Sequence, residues 1–131
     1  MIRWSGTLQL IGKAPIAGYG MGAEKVILKN MYFEQKMYNS FLNELDAHNQ
    51  YLSFLLTAGL IGLFLYLFTL YWGFERAFQR KDFIFTSFLL IIAVVGFSEN
   101  ILMVNKGIFF YSFFFSMFIF ANDGMPTNPG L

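Results

Sequence analysis

Hydrophobic and polar positions divide the chain into two unlike parts that meet near His48. Before it, charges recur every few residues: Arg3, Lys13, Glu24, Lys25, Lys29, Glu34, Lys36, Glu44 and Asp46. After it, the chain is apolar through residue 121 with two short polar breaks. The first apolar segment, residues 51–74 (YLSFLLTAGLIGLFLYLFTLYWGF), carries no charge and exceeds the roughly 20 residues a helix needs to cross a bilayer. Tyr51 at its start and Tyr71 and Trp72 near its end suit the two interfaces. Gly59 and Gly62 leave room there for a neighbouring helix. A second apolar segment starts at Phe83 and is read as a span over about 83–104; a third covers about 107–121. Both have short apolar cores, so the flanking SEN and VNK are expected near the membrane surface or inside a bundle.

The first fifty residues predict no span. TLQLIGKA is short and amphipathic, and Pro15 ends its pattern. IAGYGMGAE reads as a tight turn, because Gly18, Gly20 and Gly22 admit backbone shapes closed to other residues. From about Glu24 to Leu45, apolar and charged positions alternate at helical spacing, which predicts short amphipathic helices lying on a membrane surface. Residues 122–131, rich in Gly, Pro and Asn, read as a disordered tail. The fold class is therefore all-α: a polytopic membrane protein with three transmembrane helices preceded by a loop region, residues 1–50, with short amphipathic helices.

Composition agrees. Among 131 residues, 56% are hydrophobic, 21% aromatic and only 13% charged, and a fold this small has no soluble core large enough for eighteen phenylalanines. A net charge of +1 gives no basic surface for nucleic acid. The absence of cysteine removes disulfides, thiol catalysis and thiolate metal sites. Arg3 and Trp4 lead into a mixed polar stretch, unlike the continuous apolar core of a signal peptide. Arg76, Arg80 and Lys81 between spans one and two outnumber the lone Lys106 between spans two and three, which places the first loop and the C-terminal tail in the cytoplasm. His48, Glu99 and residues 1–50 then fall on the outer side.

His48 is the only imidazole. Asp46 is the expected N-cap, which places His48 in the first turn of the helix; there the dipole disfavours imidazolium while Asp46 favours it. A neutral imidazole in that place is able to accept a proton. Arg3 offers a two-point fork for phosphate oxygens, and Lys13, Lys25, Lys29 and Lys36 add positive potential near lipid headgroups, or simply face water. Glu99 is the acid expected at membrane depth, with Lys106 two helical turns on as its partner. No phosphate-binding loop, metal-ligand cluster or serine elbow is present in the sequence.

Together these segments resemble the C-terminal part of the O-antigen ligase and O-antigen polymerase superfamily. The likeness rests on the Arg3–Trp4 start, on Pro15, Gly18 and Gly20 of a Pro-x-x-Gly-x-Gly turn, and on His48, Asn49 and Leu52 leading into Gly59-Leu60-Ile61-Gly62. Glu99, Leu102 and Gly107 match a later segment. The resemblance implies a multi-pass protein of the bacterial inner membrane with residues 1–50 periplasmic. It implies transfer of a glycan from an undecaprenyl-pyrophosphate carrier to an acceptor sugar hydroxyl, on the lipid A core or on another carrier-linked unit, without metal or other cofactor. His48 takes the place of the base that accepts the acceptor's proton, Arg3 that of a pyrophosphate ligand, and Asn49 that of a substrate-binding residue. Full members have more spans, so the chain is expected to be the C-terminal portion of such an enzyme, partnered by a missing N-terminal membrane segment and inactive alone. The competing reading is a small non-catalytic membrane protein with an assembly or packing role. A transporter or channel piece fits less well, because Thr57, Thr69, Thr86, Ser87 and Ser112 are ordinary polar residues.

Overall fold

The computed structural model describes residues 2–121, with side chains from Trp4 onward. The expected tail, residues 122–131, lies outside the described residues. The described chain is helical without strands: α1 (Ile2–Lys13), α2 (Glu24–Glu34), α3 (Tyr38–Leu42), α4 (Gln50–Gln79), α5 (Phe83–Val95), a 3-10 turn (Ile101–Met103) and α6 (Asn105–Phe120). The short helices expected between Glu24 and Leu45 are α2 and α3.

Among the described residues, α4 is the one helix long and apolar enough to cross a membrane. It runs past the predicted end at residue 74 and takes in Glu75 and Arg76, because Arg76 and Gln79 continue the helical pattern until Arg80 closes it. The expected helix over 83–104 does not form. α5 stops at Val95, and a turn and the 3-10 segment intervene before α6. Just past its end, the carbonyls that a longer helix would use internally are taken from outside: Gln50 N–H donates to Gly96 O at 2.8 Å and Asn49 Nδ2 donates to Phe97 O at 3.1 Å. Carbonyls that end a helix need such outside donors. With 13 and 16 residues, α5 and α6 are apolar but shorter than α4.

Consecutive apolar helices run antiparallel, so α4 and α6 point the same way. Tyr66, Leu70, Ala77, Phe85, Leu89, Ile92 and Ile119 form their shared core. Phe85 stacks on Phe118 with ring centroids 5.2 Å apart, and Phe88 meets Phe118 at 5.6 Å. The glycine that lets the helices approach is Gly73, where an added Cβ would lie 2.9 Å from Phe115 and 3.1 Å from Leu89. Gly62 does not have this role; its nearest neighbour is Ala58 of the same helix. Arg80 Nη1 donates to Ile119 O at 2.8 Å, so a charge counted as a loop cation closes the C-terminus of α6. Phe64, Phe83 and Phe109 point outward, 67%, 83% and 72% exposed.

Gly59 breaks α4 into two helical pieces, with φ 64° and ψ −159°. The break is filled by the Pro15–Gly20 turn. Tyr19 N–H and Gly20 N–H donate to the carbonyls of Leu56 and Thr57 at 2.9 and 2.8 Å. In return, Leu60 N–H donates to Pro15 O at 2.8 Å and Ile61 N–H to Ile16 O at 3.4 Å. The turn thus satisfies the backbone groups the break sets free, which an apolar surrounding requires. Contact is backbone to backbone: a Cβ on Gly59 would lie 2.2 Å from Ile16 O, and one on Gly18 2.6 Å from Thr57 O. Ile11, Leu28, Met31, Tyr32, Ala47 and Leu56 form a second core that packs the N-terminal half onto the first piece of α4.

Candidate functional site

The end of the bundle that holds the α4 N-terminus also holds the α5–α6 connection, and His48 sits between them. Asn49, not Asp46, is the N-cap: its Oδ1 accepts from Tyr51 N–H at 3.0 Å and Leu52 N–H at 3.1 Å. His48 is therefore outside the helix, one residue ahead of the cap, and takes a left-handed φ of 46°. Apart from glycine, Asn, Asp and His are the side chains that most often adopt this backbone shape. Asp46 Oδ1 supports it by accepting from His48 N–H at 3.1 Å.

Two carboxylates flank the imidazole. Asp46 Oδ1 lies 3.4 Å from Nε2, and Glu99 Oε2 lies 3.6 Å from Nδ1. The ring remains 41% exposed. Because the chain turns between α5 and α6, Glu99 is not two helical turns from Lys106, and the pairing expected for it is replaced by the approach to His48. Lys106 lines an open cavity of about 470 Å³ together with Asp46, Glu99, Asn100 and Phe110. A narrower cavity of about 340 Å³ adjoins it, lined by Glu24, Lys25, Asp46, Asn100 and Val104 among others.

Each anticipated site residue has a definite place. Asn49 is 5% exposed and its amide is engaged by the cap and by Phe97 O. Replacing it with Ala is expected to cost about 1–2 kcal/mol, the usual worth of an N-cap, with a matching fall in the unfolding midpoint. Arg3 lies on the backbone of α1, while its side chain lies outside the described residues. The neighbouring Trp4 reaches the histidine loop: its Nε1 donates to Ala47 O at 3.1 Å. The Arg-Trp and His-Asn segments, more than forty residues apart, are thus brought together. Among the described residues, no group of three or more His, Cys, Asp or Glu side chains is arranged to hold a metal ion.

Glu24 escaped the sequence reading, where it was one charge among several on a surface helix. It is 6% exposed, and one carboxyl oxygen, Oε1, faces three donors: Ser53 Oγ at 2.8 Å, Ala47 N–H at 3.2 Å and Asn100 Nδ2 at 3.5 Å. Burial raises its pKa above the ordinary 4.5, against the opposing pull of the bonds from Ser53 and Ala47. An acid raised in the folded state adds stability that is present at low pH and lost as pH rises through the folded value. Stability is therefore expected to fall as pH climbs out of the acidic range, and Glu24→Gln to flatten that fall in a pH series of thermal unfolding.

Fold and site together define an all-helical protein with one membrane-length helix and a polar, histidine-bearing loop at its mouth. A family model described as O-antigen ligase matches residues 1–67, just over half of the 131 residues. It spans α1, the Pro15–Gly20 turn, α2, α3, the His48 loop and the broken part of α4. The chain belongs to the O-antigen ligase family. Membership ties it to polysaccharide biosynthesis and to membranes, in keeping with α4. No curated protein and no solved structure shows significant similarity to it.

Proposed function

We propose that this chain carries the general base of a glycosyl transfer at the periplasmic face of the bacterial inner membrane. The donor is a glycan on undecaprenyl pyrophosphate, and the acceptor is a sugar hydroxyl. His48 takes the proton as the hydroxyl oxygen bonds to the donor's anomeric carbon. The bond from that carbon to the pyrophosphate oxygen breaks, and undecaprenyl pyrophosphate leaves. The carboxylates of Asp46 and Glu99 stand 3.4 and 3.6 Å from the two ring nitrogens. Arg3, at the start of α1 next to Trp4, is the residue proposed to meet the pyrophosphate, where an arginine fork matches two oxygens. Asn49 contributes by holding the loop through its cap. α5 and α6 are proposed to enter the membrane beside α4, which keeps His48, Glu99 and Lys106 at one surface and Arg76 and Arg80 at the other.

The observation that carries this reading is the exposed imidazole between two carboxylates, with His48 and Asp46 inside the part of the chain matched by the family. The test is transfer in membranes containing this chain as part of its enzyme, supplied with an undecaprenyl-pyrophosphate-linked glycan. One carrier is expected to be released per glycosidic bond formed. Product formed from a nucleotide sugar with no lipid-linked donor would contradict the proposal.

A further inference from the structure

We infer that Glu24, acting with Trp4, is the positioning residue for His48: the two side chains clamp the Ala47 peptide groups and so hold the imidazole in its left-handed, two-carboxylate pose. The inference rests on the reading of His48 as the base. Ala47 is 2% exposed and is gripped on both sides, its N–H by Glu24 Oε1 at 3.2 Å and its C=O by Trp4 Nε1 at 3.1 Å. The same Glu24 oxygen takes Ser53 Oγ on the first turns of α4 and faces Asn100 Nδ2, next to Glu99. One buried oxygen therefore ties the loop that carries both Asp46 and His48 to the first turns of α4 and to Asn100 beside Glu99. His48 takes a left-handed φ of 46°, and this clamp holds that backbone shape by gripping the peptide groups beside it. Glu24 touches no reacting atom; it acts through the backbone beside His48.

The chain contains one histidine, so isotope labelling of histidine gives a single imidazole signal. In the 131-residue chain in lipid nanodiscs, Glu24→Ala is expected to displace or broaden that signal, while Glu24→Gln, which keeps an acceptor oxygen, leaves it near the wild-type position. In transfer by the whole enzyme, Glu24→Ala is expected to lower kcat about 100-fold, the scale of a misplaced catalytic group, with both KM values within about twofold. Glu24→Gln is expected to restore kcat to within about threefold of wild type. Should Glu24→Ala fail to fold, Trp4→Phe keeps an aromatic ring but removes the donor to Ala47 O, and is expected to move the same signal. An unchanged signal in a folded Glu24→Ala or Trp4→Phe protein would overturn the clamp, as would a Gln variant as slow as the Ala variant. The spectroscopic arm needs no turnover. A failure of His48 as base, read from His48→Ala kinetics, is therefore distinct from a failure of the clamp.

Discussion

His48→Ala is expected to lower glycan transfer by about 10²–10⁴-fold, the usual worth of a positioned general base, without a matching loss of folded protein. The imidazole is 41% exposed, and its two carboxylate neighbours sit at 3.4 and 3.6 Å, so little packing is lost with the ring. The backbone at φ 46° tolerates Ala less well than Asn, which makes His48→Asn the cleaner control for strain. Asn supplies no base of suitable pKa and is expected to be as slow as Ala while folding like wild type. Initial rates at saturating donor and acceptor check both. Transfer by either variant near the wild-type rate would remove the base role.

The second large effect lies in the broken helix. Gly59→Ala places a Cβ 2.2 Å from Ile16 O at a residue with φ 64° and ψ −159°. A strained backbone costs about 1–3 kcal/mol and overpacking about 1–3 more, so a loss of about 3 kcal/mol or greater is expected. Gly18→Ala meets the same obstacle from the other side, 2.6 Å from Thr57 O. Both variants break one interface, so the double variant is expected to cost less than the sum of the singles. Chemical unfolding in detergent, followed by helical signal, measures all three. A Gly59→Ala protein within about 0.5 kcal/mol of wild type would mean that the turn does not dock on α4 as described.

Long periodic and apolar patterns were readable from residues alone, and short-range competition was not. The apolar run of α4 and the alternating charges of α2 announce helices because each spans several turns. Asp46 and Asn49 are equally good N-cap types, and a pattern has no means of ranking them. Packing decides, because Asn49 alone also reaches Phe97 O on the α5–α6 connection. The same tertiary contact falls just past the end of α5 at Val95, although the apolar residues beyond it resemble continuing helix. Pro15–Gly20 and Gly59–Gly62 were visible as two glycine-bearing segments, yet nothing local shows that each completes the other's hydrogen bonds. A charged residue opening an amphipathic helix, as Glu24 does, reads as solvated, and only its contacts with Ala47, Ser53 and Asn100 reveal a buried acid.

For the proposed chemistry His48 must face the outside of the cell, and sidedness is open to direct measurement. The chain has no cysteine, so single cysteines give unambiguous labels. Leu42→Cys, 76% exposed in α3 on the histidine side, and Gln79→Cys, at the far end of α4, bracket the bundle. In intact bacteria, a thiol reagent that passes the outer membrane but not the inner one is expected to label position 42 and spare position 79 until the inner membrane is permeabilised. Labelling of position 79 alone in intact cells would place His48 in the cytoplasm and contradict a periplasmic transfer.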